Sequence, residues 1–103
     1  MKVLVTEKAQ REKDSLGHLI ASRFDTLFGK LNSGQDLSTK DFKKLKGYKQ
    51  LYEFRIKQNT NIYRAIGGMI KKDVLIVLFI KKKSNKLSLN VFNTVLKRLN
   101  QFK

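Results

Sequence analysis

The sequence has 103 residues, no cysteine and a formal net charge of +15. This length predicts a single domain, residues 1–103, with a modest hydrophobic core. The lack of cysteine excludes disulfides and cysteine-ligated zinc, and we expect neither a metal nor a cofactor.

The charge is concentrated in the second part of the chain. Residues 1–40 carry seven basic and five acidic side chains, whereas residues 41–103 carry sixteen basic and three acidic ones. This asymmetry favours a polyanionic partner, nucleic acid before membrane; the alternative is a basic surface kept for solubility or covered by an acidic protein. The sequence begins without the apolar run of a signal peptide, and Val74–Ile80 is too short to span a membrane, so we expect a cytoplasmic protein without a membrane partner.

The N-terminal part predicts one short strand and helical segments. Val3–Val5 is apolar, and Thr6 can cap a polar surface helix that follows it. Apolar residues at steps of three and four predict a core-packed helix over Leu16–Leu31, with Asp14 or Ser15 as its cap. Whether the two helices are continuous stays open, because residue 17 is a glycine. The single histidine, residue 18, is expected at the surface rather than in a catalytic role.

The following segment predicts a short helix that leads into a sheet. Ser38–Asp41 resembles a capping box and predicts one or two helical turns through Leu45, with Phe42 and Leu45 on the core. The lysines of this region are expected to point away from the core; they are Lys43, Lys44, Lys46 and Lys49.

Three β-branched and aromatic runs predict a meander of strands: Leu51–Ile56, Ile62–Ile66 and Val74–Ile80. Polar residues and a Gly67–Gly68 pair are expected to form the turns. The third run is apolar on both faces, which predicts the central, doubly covered strand. Together with a final helix over Leu87–Phe102, these runs predict an α+β fold: a small, mainly antiparallel sheet with N-terminal helices and a C-terminal helix packed against it.

The sequence predicts a cap and a buried face for the final helix. Ser88 is the expected N-cap, and the expected buried stripe is Leu89, Phe92, Val95, Leu96, Leu99 and Phe102.

Two arginines lie in the middle of predicted strands. The alternation of side chains in the first strand exposes Arg55, with Glu53 beside it, opposite a core face formed by Tyr52, Phe54 and Ile56. Arg64 either lies among apolar neighbours or is turned to the other side by a bulge at Gly67–Gly68. It has either a functional role or a purely structural one, in a salt bridge to Glu53.

The side chains available on the sheet are arginine, lysine and tyrosine, and groups of this kind can cleave RNA. The substrate supplies its own nucleophile, because the 2′-hydroxyl attacks the adjacent phosphate. The protein need only orient the backbone, stabilise the transition-state charge and help to move protons. A lysine crowded by other cations loses its proton more readily and can serve in that last step.

Three sequence segments, in this order along the chain, resemble the RelE/HigB superfamily of toxins. Within it, they are most similar to the phage-associated HigB-like branch. They are Lys44–Gly47 before Leu51–Ile56, then Tyr63–Ala65, then Phe79–Lys83. The resemblance implies a ribosome-dependent mRNA endonuclease. It also implies a cognate antitoxin with a DNA-binding domain as the partner that holds the toxin inactive.

The resemblance places the active face on basic positions. The implied catalytic residues are Arg55 and Arg64, which would grip the scissile phosphate, and Lys46 or Lys82 for proton transfer. In addition, we predict that RNA is bound by Lys43, Lys44, Lys49, Lys81 and Lys83. Several family members carry a tyrosine or histidine near the C-terminus, which the region after Lys83 lacks. A ParE-like inhibitor of DNA gyrase and a basic RNA-binding module therefore stay open as alternatives.

Overall fold

The structure, a computed structural model, describes residues 1–48, 50–82 and 86–102. Over these residues it contains five strands and three helices. In chain order they are β1 (Val3–Val5), α1 (Glu7–Ser15), α2 (His18–Asn32), β2 (Phe42–Lys44), β3 (Leu51–Gln58), β4 (Asn61–Ile70), β5 (Asp73–Lys82) and α3 (Leu89–Asn100). The predicted α+β fold is confirmed.

The strands form one sheet in the order β1-β5-β4-β3-β2. Strands β2 to β5 are an antiparallel meander, and β1 pairs in parallel with β5. The prediction that Val74–Ile80 is the central strand is wrong, since β4 occupies that place. β1 has only three residues and flanks β5 over Val74–Ile76 alone. β5 is nevertheless buried on both faces along most of its length, as its composition predicted.

The sheet carries a separate hydrophobic cluster on each face. On one face α1 and α2 cover an aromatic group that includes Phe24, Phe28, Phe54 and Phe79. On the other face α3 packs through Val91, Val95 and Leu99. The predicted α3 stripe is partly wrong, because Leu89, Leu96 and Phe102 are 67%, 39% and 50% exposed. A Cβ at Gly68 would lie 2.7 Å from Leu99 Cδ1, so the absence of a side chain at this position leaves room for the leucine of α3.

The helix boundaries at the N-terminus follow from two different caps. The Thr6 side chain accepts a hydrogen bond from Ala9 N, so the predicted cap of α1 is confirmed. α2 begins after Gly17, whose φ of +98° separates the two helices. The prediction that Asp14 or Ser15 caps α2 is therefore wrong. His18 is exposed, as expected.

The predicted helix between Ser38 and Leu45 is wrong, because Phe42–Lys44 forms β2. Ser38 Oγ does approach Asp41 Oδ2 at 3.4 Å, but these residues close a turn. The Phe42 ring stacks on Phe54 at a centroid distance of 4.4 Å, and its strand pairs with β3. Tertiary packing of this ring outweighs the local capping pattern.

The Gly67–Gly68 pair lies inside β4 and does not form the predicted turn. The register between β4 and β5 shifts at Ile66 and Gly67, so a bulge is present where the sequence suggested one. A Cβ at Gly67 would lie 1.9 Å from Leu75 O, which means that only glycine fits beside the neighbouring backbone.

Two helices hold the bulged part of β5. Arg98 of α3 donates to Val77 O at 2.7 Å and to Glu12 of α1 at 2.9 Å. Glu12 Oε1 also accepts from Phe79 N at 3.2 Å. We name Glu12 and Arg98 the edge clamp, since they satisfy backbone groups of β5 beyond the end of β1. None of the helices in the described residues is long and apolar enough to cross a membrane.

Candidate nucleic-acid interface

Basic side chains from four strands share the sheet face on which α3 packs. The register pairs Arg55 with Arg64, Lys43 with Glu53, and Ile62 with both Lys57 and Lys82. Because cross-strand partners project from the same face, these side chains are neighbours. We name this set the cationic face; it comprises Lys43, Glu53, Arg55, Lys57, Arg64 and Lys82. None of its members belongs to the hydrophobic cluster under α3.

A buried carboxylate joins the two arginines of the cationic face. Arg64 Nη1 donates to Glu53 Oε2 at 3.0 Å, and Arg55 Nε lies 3.9 Å from Glu53 Oε1. Glu53 and Arg64 are each 1% exposed, so their pairing is shielded from water. The salt bridge that the sequence offered as the alternative for Arg64 is therefore present. Two guanidinium groups around one carboxylate leave an excess positive charge at this point.

Arg55 is less exposed than predicted. Its side chain is 19% exposed, and its backbone N donates to Asp41 O at 2.9 Å. The chain entering β2 therefore runs beside Arg55, which the predicted helix in that region did not anticipate. Arg55 is still the more accessible of the two arginines, because the Arg64 side chain is only 2% exposed.

The predicted lysines divide between the two faces of the sheet. Lys43 and Lys82 lie on the cationic face, and Lys82 is half-buried at the end of β5. Lys44 and Lys81 pair with Tyr52 and Tyr63, which places them on the α1–α2 face. Lys46 is exposed in the turn after β2. Lys49 and Lys83 lie outside the described residues.

Lys57 and Arg23 contribute positive charge that the sequence reasoning missed. Lys57 continues the two-residue period of Glu53 and Arg55 and could have been found by extending that strand beyond Ile56. Arg23 reaches the same strand from α2 and donates to Gln58 at 3.1 Å, which no sequence signal indicated. Together with Lys40, Asp41 and Arg55, they line a groove of about 230 Å³.

The chemistry of the cationic face is that of anion binding. Within residues 1–48, 50–82 and 86–102, no three histidine, aspartate or glutamate side chains cluster as metal ligands would. Arginine and lysine side chains provide charge-assisted hydrogen bonds to phosphate, and arginine does so with a planar fork.

The fold is that of the RelE toxins. The Escherichia coli toxin RelE, solved in the free state as a double mutant, superposes with a TM-score of 0.64 at 17% identity, covering 95% of this chain and 96% of that chain. The family described as phage derived protein Gp49-like (DUF891) matches residues 12–100, and the chain belongs to it. No curated protein matches the sequence. The predicted resemblance to the RelE/HigB superfamily is confirmed by this family and fold.

Proposed function

We propose that this protein is the toxin of a toxin–antitoxin pair and that it cleaves mRNA on the ribosome. The observation that carries the proposal is the pairing of Arg55 with Arg64 across a buried Glu53, on a face that also presents three lysines. This arrangement concentrates fixed positive charge where a phosphate would gain charge during 2′-hydroxyl attack. Membership of the Gp49-like family and the RelE fold support the toxin assignment.

The two arginines take different roles in this mechanism. Arg55 contacts the scissile phosphate, because it is the more accessible guanidinium. Arg64 fixes Glu53, which in turn orients Arg55, so Arg64 acts as a positioning residue in the state described by the structure. The 2′-oxygen forms a bond to phosphorus, the bond to the 5′-oxygen breaks, and a cyclic phosphate remains. Lys82, which lies on the cationic face with Arg55, moves the proton from the 2′-hydroxyl to the leaving oxygen.

Primer extension on mRNA after induced expression tests the proposal. We expect cleavage products with the wild type and a loss of about 100-fold or more with Arg55→Ala, since removal of one fixed charge-stabilising donor has effects of this order. Lys72→Ala is the matched control, because Lys72 is an exposed cation in the β4–β5 turn. If the wild type and Arg55→Ala both bind RNA and neither produces cuts, the endonuclease proposal is wrong.

Inhibition of DNA gyrase is the second candidate function. One observation favours it: no tyrosine or histidine follows Lys83, so the C-terminal proton-transfer group of several RelE-like nucleases is missing. A supercoiling assay separates the two candidates. The nuclease leaves gyrase supercoiling unchanged, whereas a ParE-like inhibitor blocks it and produces no mRNA cuts.

The expected partner is an acidic antitoxin, with a DNA-binding domain of its own. Sixteen basic against three acidic side chains in residues 41–103 require a counter-charge in a cell rich in RNA. An acidic segment lying over Arg55, Arg64 and Lys82 would block phosphate; docking on α1 and α2 would instead prevent ribosome entry. Purification from the native operon should recover this neighbour. High-level expression alone without harm to growth, and without a bound neighbour, would contradict both the toxin and the partner.

A further inference from the structure

An aromatic pair lies next to the turn that follows β2. The rings of Tyr48 and Phe92 stack with a centroid distance of 4.1 Å and an interplanar angle of 7°. Gly47 precedes the tyrosine with a φ of +81°, a conformation that allows the chain to turn sharply there. Both aromatic side chains are half-buried, so part of each remains open to solvent.

The same turn forms the wall of a groove. The groove has a volume of about 510 Å³, and the described residues that line it are Lys44, Leu45, Lys46, Gly47 and Tyr48. This volume lies within the range of small-molecule sites. An aromatic ring with two exposed lysines is the combination that binds single-stranded nucleic acid, since bases stack on the ring while cations follow the backbone.

We propose that Tyr48 is a stacking platform for one unpaired nucleobase of the RNA strand. Phe92 supports one face of the Tyr48 ring, and the base takes the face towards the groove. Lys46, exposed in the same turn, contacts a phosphate next to that base. This inference deepens the proposed function and rests on it, because it assigns a base-binding subsite beside the phosphate-binding cationic face.

The position of the turn relative to Arg55 supports one continuous binding track. The turn leads into β3 at Leu51, four residues before Arg55, a separation of about 13 Å along an extended strand. Lys43 pairs with Glu53 and therefore lies between the turn and the two arginines. One RNA strand can reach both regions while passing over positive charge.

Anchoring of the turn alone does not account for the aromatic pair. Leu45 in the same segment is only 7% exposed and already fixes the turn to the cluster under α3. For anchoring alone, an aliphatic side chain could fill the space of the Tyr48 ring. We therefore infer that the Tyr48 ring, which stacks on Phe92 and is half open to a groove lined by lysines, has a second use.

The chain contains no tryptophan, which allows a direct optical test. Tyr48→Trp introduces a single reporter whose fluorescence is quenched by a stacked base. We expect oligoadenylate to quench it, and an oligomer of the same length with a backbone but no bases to leave it unchanged. Tyr52→Trp is the matched control, since Tyr52 is also a half-buried tyrosine stacked on a phenylalanine, Phe42, but lies outside this groove.

Salt dependence separates stacking from charge. Tyr48→Leu should weaken oligoadenylate binding about tenfold at every salt concentration, within the range of base–aromatic stacking. Lys46→Ala should instead reduce the slope of log affinity against log salt by about 0.7, the value for one phosphate contact on a single strand. Thermal unfolding confirms that each variant is folded.

The outcomes distinguish this inference from the proposed function. Unquenched Tyr48→Trp fluorescence, or wild-type affinity of Tyr48→Leu, overturns the base-binding site even when mRNA cleavage is intact. A wild type that makes no cuts overturns the endonuclease proposal, and quenching of Tyr48→Trp by oligoadenylate then still establishes the subsite as an RNA contact.

Discussion

Replacement of Glu53 by glutamine should destabilise the protein strongly. Glu53→Gln preserves side-chain shape but removes the negative charge between Arg55 and Arg64. Because Glu53 and Arg64 are each 1% exposed, water cannot replace the lost negative charge beside the Arg64 guanidinium. Loss of one partner of such a buried pair costs about 3–5 kcal/mol in the free energy of unfolding. For a domain of this size, that corresponds to a fall in Tm of at least about 12 °C.

The control uses the same chemical change at the surface. Glu7 pairs with Arg11 at 2.6 Å, but their side chains are 85% and 73% exposed. Glu7→Gln should therefore change the free energy of unfolding by no more than about 0.5 kcal/mol. Calorimetry or thermal circular dichroism gives both values. Equal Tm values for wild type and Glu53→Gln would refute the reasoning about the buried pair.

A double variant isolates the electrostatic part of that effect. Glu53→Leu combined with Arg64→Met removes both charges and keeps similar side-chain volume. Since apolar replacement of a whole buried pair is often neutral or stabilising, we expect the double variant to be more stable than Glu53→Leu alone.

Two further pairs of variants test backbone space and ion-pair asymmetry. Gly67→Ala places a Cβ 1.9 Å from Leu75 O and should prevent folding or lower the free energy of unfolding by more than about 3 kcal/mol. The Cβ of Gly29→Ala meets nothing within 4 Å in α2, so this variant should raise the free energy of unfolding by about 0.5–1 kcal/mol. Urea unfolding measures both values. Lys13 is 6% exposed and pairs with Asp25, whose side chain is 56% exposed. Lys13→Met should therefore cost less than Asp25→Ala, which leaves a buried ammonium without its carboxylate, and the reverse order would contradict this account.

The strands of the meander could be predicted because their side chains alternate with a strict period of two. That period correctly paired Glu53 with Arg55 and placed Tyr52, Phe54 and Ile56 on the core under the N-terminal helices. It could not show how deeply the opposite face is buried, since this depends on contacts between distant segments. The burial of Glu53 and Arg64 was therefore not predictable from alternation alone.

β2 and the glycine pair show two other limits of local sequence patterns. Phe42–Lys44 has three residues and follows a capping pattern, so nothing local opposes a helix. Its pairing partners lie eight to twelve residues further along the chain. The glycines of β4 resemble a turn, but they serve the close approach of Leu75 and Leu99. Both features are set by contacts between distant segments.

The edge clamp restricts how another polypeptide can extend this sheet. A strand added beside β5 would need the hydrogen-bonding groups of Val77 O and Phe79 N, which Arg98 and Glu12 already occupy. Such a strand would have to break the ion pair that connects α1 with α3. On the other side of the sheet, the pairing of β2 with β3 ends at Phe54 and Asp41 O accepts from Arg55 N, so the backbone at Lys57 lies beyond β2. Strand addition is therefore less hindered beside β3, next to the arginines, than beside β5.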